Sequence, residues 1–352
     1  IKYIKYIFVN KLREKLMASS NRLKVILYAG FKDNAVFYSN VSPPLGLFRL
    51  KHYLEKRNID CEVFDLMLTE DDFKDTLQKM SDGHYDVIGW SVDSEKMSRY
   101  FTGLKDMRSR IESSGKKSMI VVGGQGGAHS YRDFIQIGKA DAVLLGFAEK
   151  NFYDLCVSFS KNRNKHVSFY AKNIDGVAYP ANLECTEVIK NPSKPLTEEE
   201  FVDLNYHAIK DLFIPYQDYW DYTQKEGATS LNLKKEDEEG ELANIIAESD
   251  PHFDIPVNKD TQKFFVETIR LYTSSHCPWK CGFCSAHSFL RMSNATMEKE
   301  EKIPKKPENR ELPMNALTTC GSQPHPVYRI SPEQIYDLVV RHCDKYNAKV
   351  IL

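Results

Sequence analysis

From residue 22 onward, short apolar runs alternate with stretches in which apolar residues recur three and four apart. The runs are Lys24-Val-Ile-Leu-Tyr-Ala, Cys61-Glu-Val-Phe-Asp-Leu, Asp86-Val-Ile-Gly-Trp-Ser, Ser118-Met-Ile-Val-Val-Gly and Asp141-Ala-Val-Leu-Leu-Gly. Each is partly β-branched or aromatic and ends near Gly, Ser or Asp, the pattern of a strand. Residues 47–57, 71–80, 97–113 and 131–138 read as the helices between them, and 149–159 as the helix after the last. Leu47, Leu50 and Leu54 fall on one helical face, which the spacing buries. Five βα units in series predict an α/β domain with an open, parallel, doubly wound sheet. In such sheets ligands sit beyond the carboxyl ends of the strands, where the strand order reverses.

Ile174-Asp-Gly-Val-Ala-Tyr-Pro180 reads as a strand that closes this first domain, residues 17–180. Residues 181–263 then lose the pattern and read as a linker. Pro192 to Phe264 is rich in Glu, Asp and Lys, and the acidic run Lys234 to Glu241 reads as solvated chain. An aromatic island at Tyr216-Gln-Asp-Tyr-Trp-Asp-Tyr222 is expected to pack on a domain surface. Order resumes in residues 264–352. Glu267-Thr-Ile-Arg-Leu-Tyr-Thr is a strand that leads into a cysteine cluster, and 289–326 is loop, of which 292–325 reads as an insertion. Ser331 serves as N-cap of a helix, with Pro332 at its first position and Gln334 at capping-box spacing. Ile335, Leu338 and Val339 form its apolar stripe, and Ala348 to Leu352 begins another strand.

Composition narrows the classes. The formal net charge is -1 over 352 residues and Lys and Arg are scattered, so the chain lacks the basic stripe of a nucleic-acid binder. A hydrophobic content of 42% suits packed cores rather than disorder. No apolar run reaches the roughly 18 residues that span a bilayer. Ile1 to Leu16 is basic and apolar but lacks an initiating Met and a small-residue cleavage site. Met17-Ala-Ser-Ser reads as the natural start, and residues 1–16 as an extension. Of eight cysteines, three fall between 277 and 284, while Cys61, Cys156, Cys185, Cys320 and Cys343 are dispersed. A tight cluster in a chain this long points to metal binding or catalysis rather than disulfides, and to a reducing cytoplasm.

The cluster is Cys277-Pro-Trp-Lys-Cys281-Gly-Phe-Cys284. Its spacing lets one short loop wrap three thiolates around a single centre, and thiolate softness selects iron–sulfur or zinc. A structural zinc site needs a fourth ligand, which His276, His287 or Cys320 would have to supply. A cubane held by three thiolates instead leaves one iron open to substrate. This C-x3-C-x2-C loop, following a strand and with Phe283 before its last cysteine, resembles the signature of the radical S-adenosylmethionine superfamily. The resemblance implies that Cys277, Cys281 and Cys284 hold a 4Fe-4S cluster at the start of a partial (β/α) barrel, with Phe283 near the adenine. In that family the open iron chelates S-adenosylmethionine, and an electron from a donor such as a flavodoxin or ferredoxin releases a 5′-deoxyadenosyl radical.

The resemblance extends to the first domain. Pro43-Pro44-Leu45-Gly46, Ser91 after the third strand, Gly123-Gly124 after the fourth and Gly146 after the fifth resemble the Rossmann-like cobalamin-binding domain that precedes the barrel in one large subfamily. It implies a corrinoid whose nucleotide tail enters at the strand ends, with Gly123 and Gly124 letting backbone approach and the Ser91 hydroxyl bonding it. The chain also departs from the pattern. Where many cobalamin proteins carry D-x-H-x-x-G it has Val41-Ser-Pro43-Pro-Leu-Gly46, so no histidine meets cobalt from there. Gly146-Phe-Ala-Glu149 differs from the usual acidic, Gly-containing turn, Gln125-Gly126-Gly127 is expected to loosen its loop, and His129 reads as a solvated loop residue. The implied reaction is methyl transfer to an unactivated carbon of a small-molecule substrate. Rearrangement or cyclisation with the same cofactors stays open, as does a sheet that binds no cofactor, or a non-catalytic module stabilised by zinc or a cluster. A barrel needs roughly 200 residues or more, so the chain is expected to hold an incomplete barrel and to be inactive alone.

Overall fold

A computed structural model describes residues 22–29, 43–65, 73–92, 97–193, 196–219, 268–269, 271, 328–346 and 350–351. Strands β1 (Lys24–Ala29), β2 (Asp60–Asp65), β3 (Val87–Ser91), β4 (Met119–Gly123), β5 (Ala142–Leu144), β6 (Val177–Pro180) and β7 (Val188–Lys190) form one sheet in the order β2-β1-β3-β4-β5-β6-β7. The first five are parallel, and β6 and β7 extend the sheet antiparallel, so it is mixed rather than wholly parallel. Helices α1 (Leu45–Glu55), α2 (Phe73–Ser81), α3 (Met97–Ser113), α4 (Gly124–His129), α5 (Tyr131–Gln136), α6 (Glu149–Lys161) and α7 (Val167–Ala171) cover both faces.

Alternation within β1 shows why two layers form. Val25, Leu27 and Ala29 face the core under α1, α6 and α7, which contribute Leu47, Leu54, Phe152 and Leu155. Ile26 and Tyr28 face the opposite core, closed by Tyr100, Leu104 and Met107 of α3 and by Phe134 of α5. Side chains on a strand alternate between faces, so a strand apolar at both must lie between two helical layers.

The polar residues expected to open the strands stand just before them. Asp86 accepts the Lys24 N–H at 2.8 Å and pairs with Arg163. Asp141 accepts the Ile120 N–H at 2.7 Å and Arg108 Nη2 at 2.5 Å, and the Ser118 hydroxyl donates to the Tyr85 carbonyl at 2.7 Å. Each satisfies a backbone group at the amino end of the sheet, where a neighbouring strand has no ladder partner.

Within the stretch whose composition predicts a linker, residues 188–190 form β7 and residues 196–219 form a folded strap. Its helix α8 (Glu198–Val202) opens with a capping box, in which the Thr197 hydroxyl accepts the Glu200 N–H at 3.2 Å and Glu200 accepts the Thr197 N–H at 2.8 Å. A π-turn (Asp203–His207) and a 3-10 turn (Ile209–Asp211) follow. Leu212, Ile214 and Tyr219 pack on Phe48 of α1, which puts this part of the aromatic island on the domain surface. Helix α9 (Pro332–Tyr346) has the Ser331–Gln334 capping box that its sequence predicts. Its Leu338 joins Phe201, Ile209 and Ile330 in a separate small core. It leads to β9 (Val350–Ile351), which pairs in parallel with β8 (Thr268–Ile269). Burial, then Lys56, lowers the pKa of His52 on α1, and burial, then Lys345, lowers that of His342 on α9.

One buried charge ties these parts together. Arg49 Nη2 lies 2.7 Å from Glu149 Oε1, with side chains only 6% and 8% exposed, and Arg49 Nη1 donates to Asn205 Oδ1 at 3.0 Å. The contact joins α1, the first turn of α6 and the strap. Removing one member of a buried pair strands the other charge, which costs roughly 3–5 kcal/mol, whereas replacing both by apolar groups costs far less. Urea unfolding should therefore show Arg49→Met as strongly destabilised and the Arg49→Met/Glu149→Leu double variant as much less so than the two single losses summed. Simple additivity would contradict the pairing.

Candidate functional site

The register places the carboxyl ends of the parallel strands level. Asp65 of β2 stands opposite Ala29 of β1, Ala29 opposite Ser91 of β3, and Ser91 opposite Gly123 of β4. After β1 the chain moves to β2 on one side and then to β3 on the other, so the strand order reverses between β1 and β3. In doubly wound sheets ligands sit at such a reversal, beyond the carboxyl ends of the strands.

The sequence candidates of the first domain gather on this end. Gly46 is in the first turn of α1 and exposed, Ser91 and Gly123 are half-buried at the tips of β3 and β4, and Gly146 follows β5 with φ +72°. A Cβ at Gly46 or at Gly123 would meet nothing within 4 Å, so both open onto free space. Gly124 differs. Its φ is +88° and a Cβ there would stand 2.6 Å from the Val92 carbonyl oxygen, so glycine is required by the chain's own backbone. The stretch Gln125-Gly126-Gly127, expected to loosen its loop, instead forms α4. Gly126 N–H donates to the Val92 carbonyl at 3.1 Å, and Gly127 allows a close approach to Val122. Here glycines permit tight packing of a short helix on its strand rather than mobility. His129 ends that helix, exposed.

Several site features have no signature in sequence. Tyr28, Phe64 and Trp90 stand side by side one residue below the row of strand ends, with ring centroids 6.0 Å apart for Tyr28–Phe64 and 4.7 Å for Tyr28–Trp90. Burial, then Tyr100 and Asp65, pushes the Tyr28 phenol up, so it keeps its proton. The Tyr219 hydroxyl donates to Asp65 Oδ2 at 2.6 Å and closes the β2 end of the row. Burial and the adjacent carboxylate raise the Tyr219 pKa as well. Alternating periodicity marks the aromatics only as core, and pairing between residues 154 positions apart cannot be read from a linear pattern.

Cys277, Cys281, Cys284 and Phe283 lie outside the described residues, as do the candidate zinc ligands His276, His287 and Cys320. Among the described residues, Cys61, Cys156, Cys185 and Cys343 are free thiols and no His, Cys, Asp and Glu side chains cluster as a metal site. Burial raises the pKa of Cys61 and of fully buried Cys156, which marks both as inert core residues. No helix among the described residues is long and apolar enough to cross a membrane.

A level row of strand ends at a topological switch point, followed by a parallel βα unit, is a fold that this chain shares with solved cobalamin-dependent S-adenosylmethionine radical enzymes. The cobalamin-dependent S-adenosylmethionine radical enzyme OxsB with aqua-cobalamin bound is 17% identical, with a TM-score of 0.52 over 93% of this chain and 33% of that one. OxsB with aqua-cobalamin and S-adenosylmethionine bound gives 0.51 at the same identity and coverage. The radical S-adenosylmethionine methyltransferase TsrM from Kitasatospora setae, with cobalamin and a 4Fe-4S cluster bound, is 18% identical over 50% of this chain and 30% of its own, with a TM-score of 0.39. The chain thus spans about a third of the length of the solved structures it matches. No protein-family model and no curated protein matches it.

The two neighbouring glycines should behave differently. Gly124→Ala meets both the positive φ and the Val92 carbonyl and should lower stability by about 1–3 kcal/mol. Gly123→Ala, at an extended φ with open space beyond, should stay within about 0.5 kcal/mol of the parent. Thermal unfolding of both variants checks this, and equal losses would contradict the packing described.

Proposed function

We propose that this chain carries the cobalamin domain and the cluster-binding start of the barrel of a cobalamin-dependent radical S-adenosylmethionine enzyme. The observation that carries the reading is the spacing of Cys277, Cys281 and Cys284 on a chain that shares its fold, over 93% of its length, with OxsB. Three soft thiolates suit three corners of an iron–sulfur cubane, and the fourth corner is then free for the amino and carboxylate groups of S-adenosylmethionine. Phe283 lies against the adenine in this reading.

Cobalamin is assigned to the strand-end face. Gly46 and Gly123 leave room for a broad ligand, and Ser91 offers a hydroxyl between them at the switch point. Gly146 turns the chain away beyond β5, and Gly124 keeps α4 packed back on Val92 so that the face stays open. Pro43 and Pro44 occupy the loop from which other cobalamin proteins offer histidine, so the lower face of the corrin takes no imidazole from residues 41–46. When bound, the two cofactors supply a substrate radical and a transferable methyl group, and we assign methyl transfer to an unactivated carbon of a small molecule. A one-electron donor of flavodoxin or ferredoxin type, in a reducing cytoplasm, completes the requirement.

Anaerobic reconstitution with iron and sulfide tests the reading. The chain should turn brown and absorb broadly at about 400 nm through thiolate-to-iron charge transfer. Replacing Cys277, Cys281 and Cys284 by Ala should abolish the colour, while the Cys61→Ala and Cys156→Ala variants keep it. A colourless protein that holds one zinc would sink the proposal.

A further inference from the structure

Asn205 is fully buried in the strap, and its side-chain amide is divided between two partners. Nδ2 donates to the Phe201 carbonyl at 2.9 Å, and Oδ1 accepts from Arg49 Nη1 at 3.0 Å. The Phe201 carbonyl is the i−4 acceptor of an α-helix, for which the side chain competes. From there the backbone runs in the wider π register, with Ala208 N–H bonded to the Asp203 carbonyl at 2.8 Å.

The change of register alters which residues share a face. On an uninterrupted α-helix Phe201 and Ile209 would stand about 80° apart, and a π-turn that absorbs one residue brings them to within about 20°. Both are then fully buried on one side, against Ile330 and Leu338 of the α9 segment. Tyr206, inside the π-turn, adds a hydrogen bond to Asp337 at 3.0 Å, and Lys345 donates to the Leu212 carbonyl at 3.1 Å. The other partner of Asn205, Arg49, reaches Glu149 beside the Gly146 turn.

We propose that Asn205 is a positioning residue: it sets the helical phase of the strap and so fixes the angle at which the β8–α9–β9 unit docks on the strand-end domain. Its bearing on catalysis rests on the cofactor reading above, which assigns cobalamin to the strand-end domain and the cluster to the chain segment between β8 and α9. A generic core residue would stabilise both sides alike. Asn205 touches the rim of one side and dictates the contact face of the other.

Hydrogen exchange read by mass spectrometry on the whole chain, alongside equilibrium dialysis with hydroxocobalamin, tests this. Asn205→Ala should speed exchange of the amides of residues 333–346 by at least about tenfold, while β1, β3 and β4 keep their protection. Hydroxocobalamin retention should match the parent within about twofold. Asn205→Ser, whose hydroxyl can still donate to the Phe201 carbonyl, should restore protection of α9 to within about threefold of the parent. Unchanged exchange in α9, or a loss spread evenly over the strands, would overturn the proposal. If Asn205→Ala does not fold, Asn205→Asp reads the same link, since its carboxylate can still accept from Arg49 but cannot donate to the Phe201 carbonyl. It should loosen α9 selectively, and a variant that does not do so counts against the proposal. A parent chain that fails to hold hydroxocobalamin would remove the cofactor reading alone, leaving the exchange pattern to decide this one.

Discussion

A guanidinium sealed from water cannot be left without an anion, and Arg49 meets that constraint with two partners far apart in the sequence. Glu149 supplies the charge from the first turn of α6, where the helix dipole also favours a carboxylate. Asn205 takes the second arm of the fork from the strap. Because each partner is needed by the same buried group, α1, α6 and the strap have one workable mutual arrangement. The Arg49–Glu149 pair by itself links α1, with Gly46 in its first turn, to α6, which follows Gly146, so the two strand-end glycines keep their spacing.

The two ends of the parallel sheet do different work. At the amino ends, Asp86, Ser118 and Asp141 spend their polar atoms on backbone groups and arginines, which closes that edge. At the carboxyl ends the row Asp65, Ala29, Ser91 and Gly123 is small or capped, over a layer of aromatic rings. Tyr219 caps the Asp65 end of the row. The stretch over β1, β3 and β4, astride the switch point, is where the proposed cofactor reading seats its corrinoid.

Much of this was readable from linear pattern, for a definite reason. A strand buried on both faces must be apolar throughout, so β1 has the bounds its run predicts, β3, β4 and β5 fall within their own runs, and β2 begins one residue earlier than its run; α3 likewise matches at Met97–Ser113. What escaped depends on residues meeting across long sequence distances or on local geometry that composition hides. Thr197 and Glu200 form a capping box inside a stretch whose Glu, Asp and Lys content otherwise reads as solvated. Gln125-Gly126-Gly127 reads as slack, yet Gly127 together with Gly124 is what lets α4 press on Val122 and Val92. Arg49 lies between apolar neighbours on α1 and gave no sign that its partners would be Glu149 and Asn205. The cysteine loop is the reverse case: its spacing points to a soft-metal centre, while its residues fall outside those the structure describes.

The central claim is that the crevice over β1, β3 and β4 accepts a corrinoid through its nucleotide tail, and comparing two corrinoids measures it directly. Titrated into the chain, hydroxocobalamin should bind saturably at one per chain, and cobinamide, which lacks the tail, at least about tenfold more weakly, a difference of about 1.4 kcal/mol. Absence of saturable binding, or equal affinity for the two, would contradict the account.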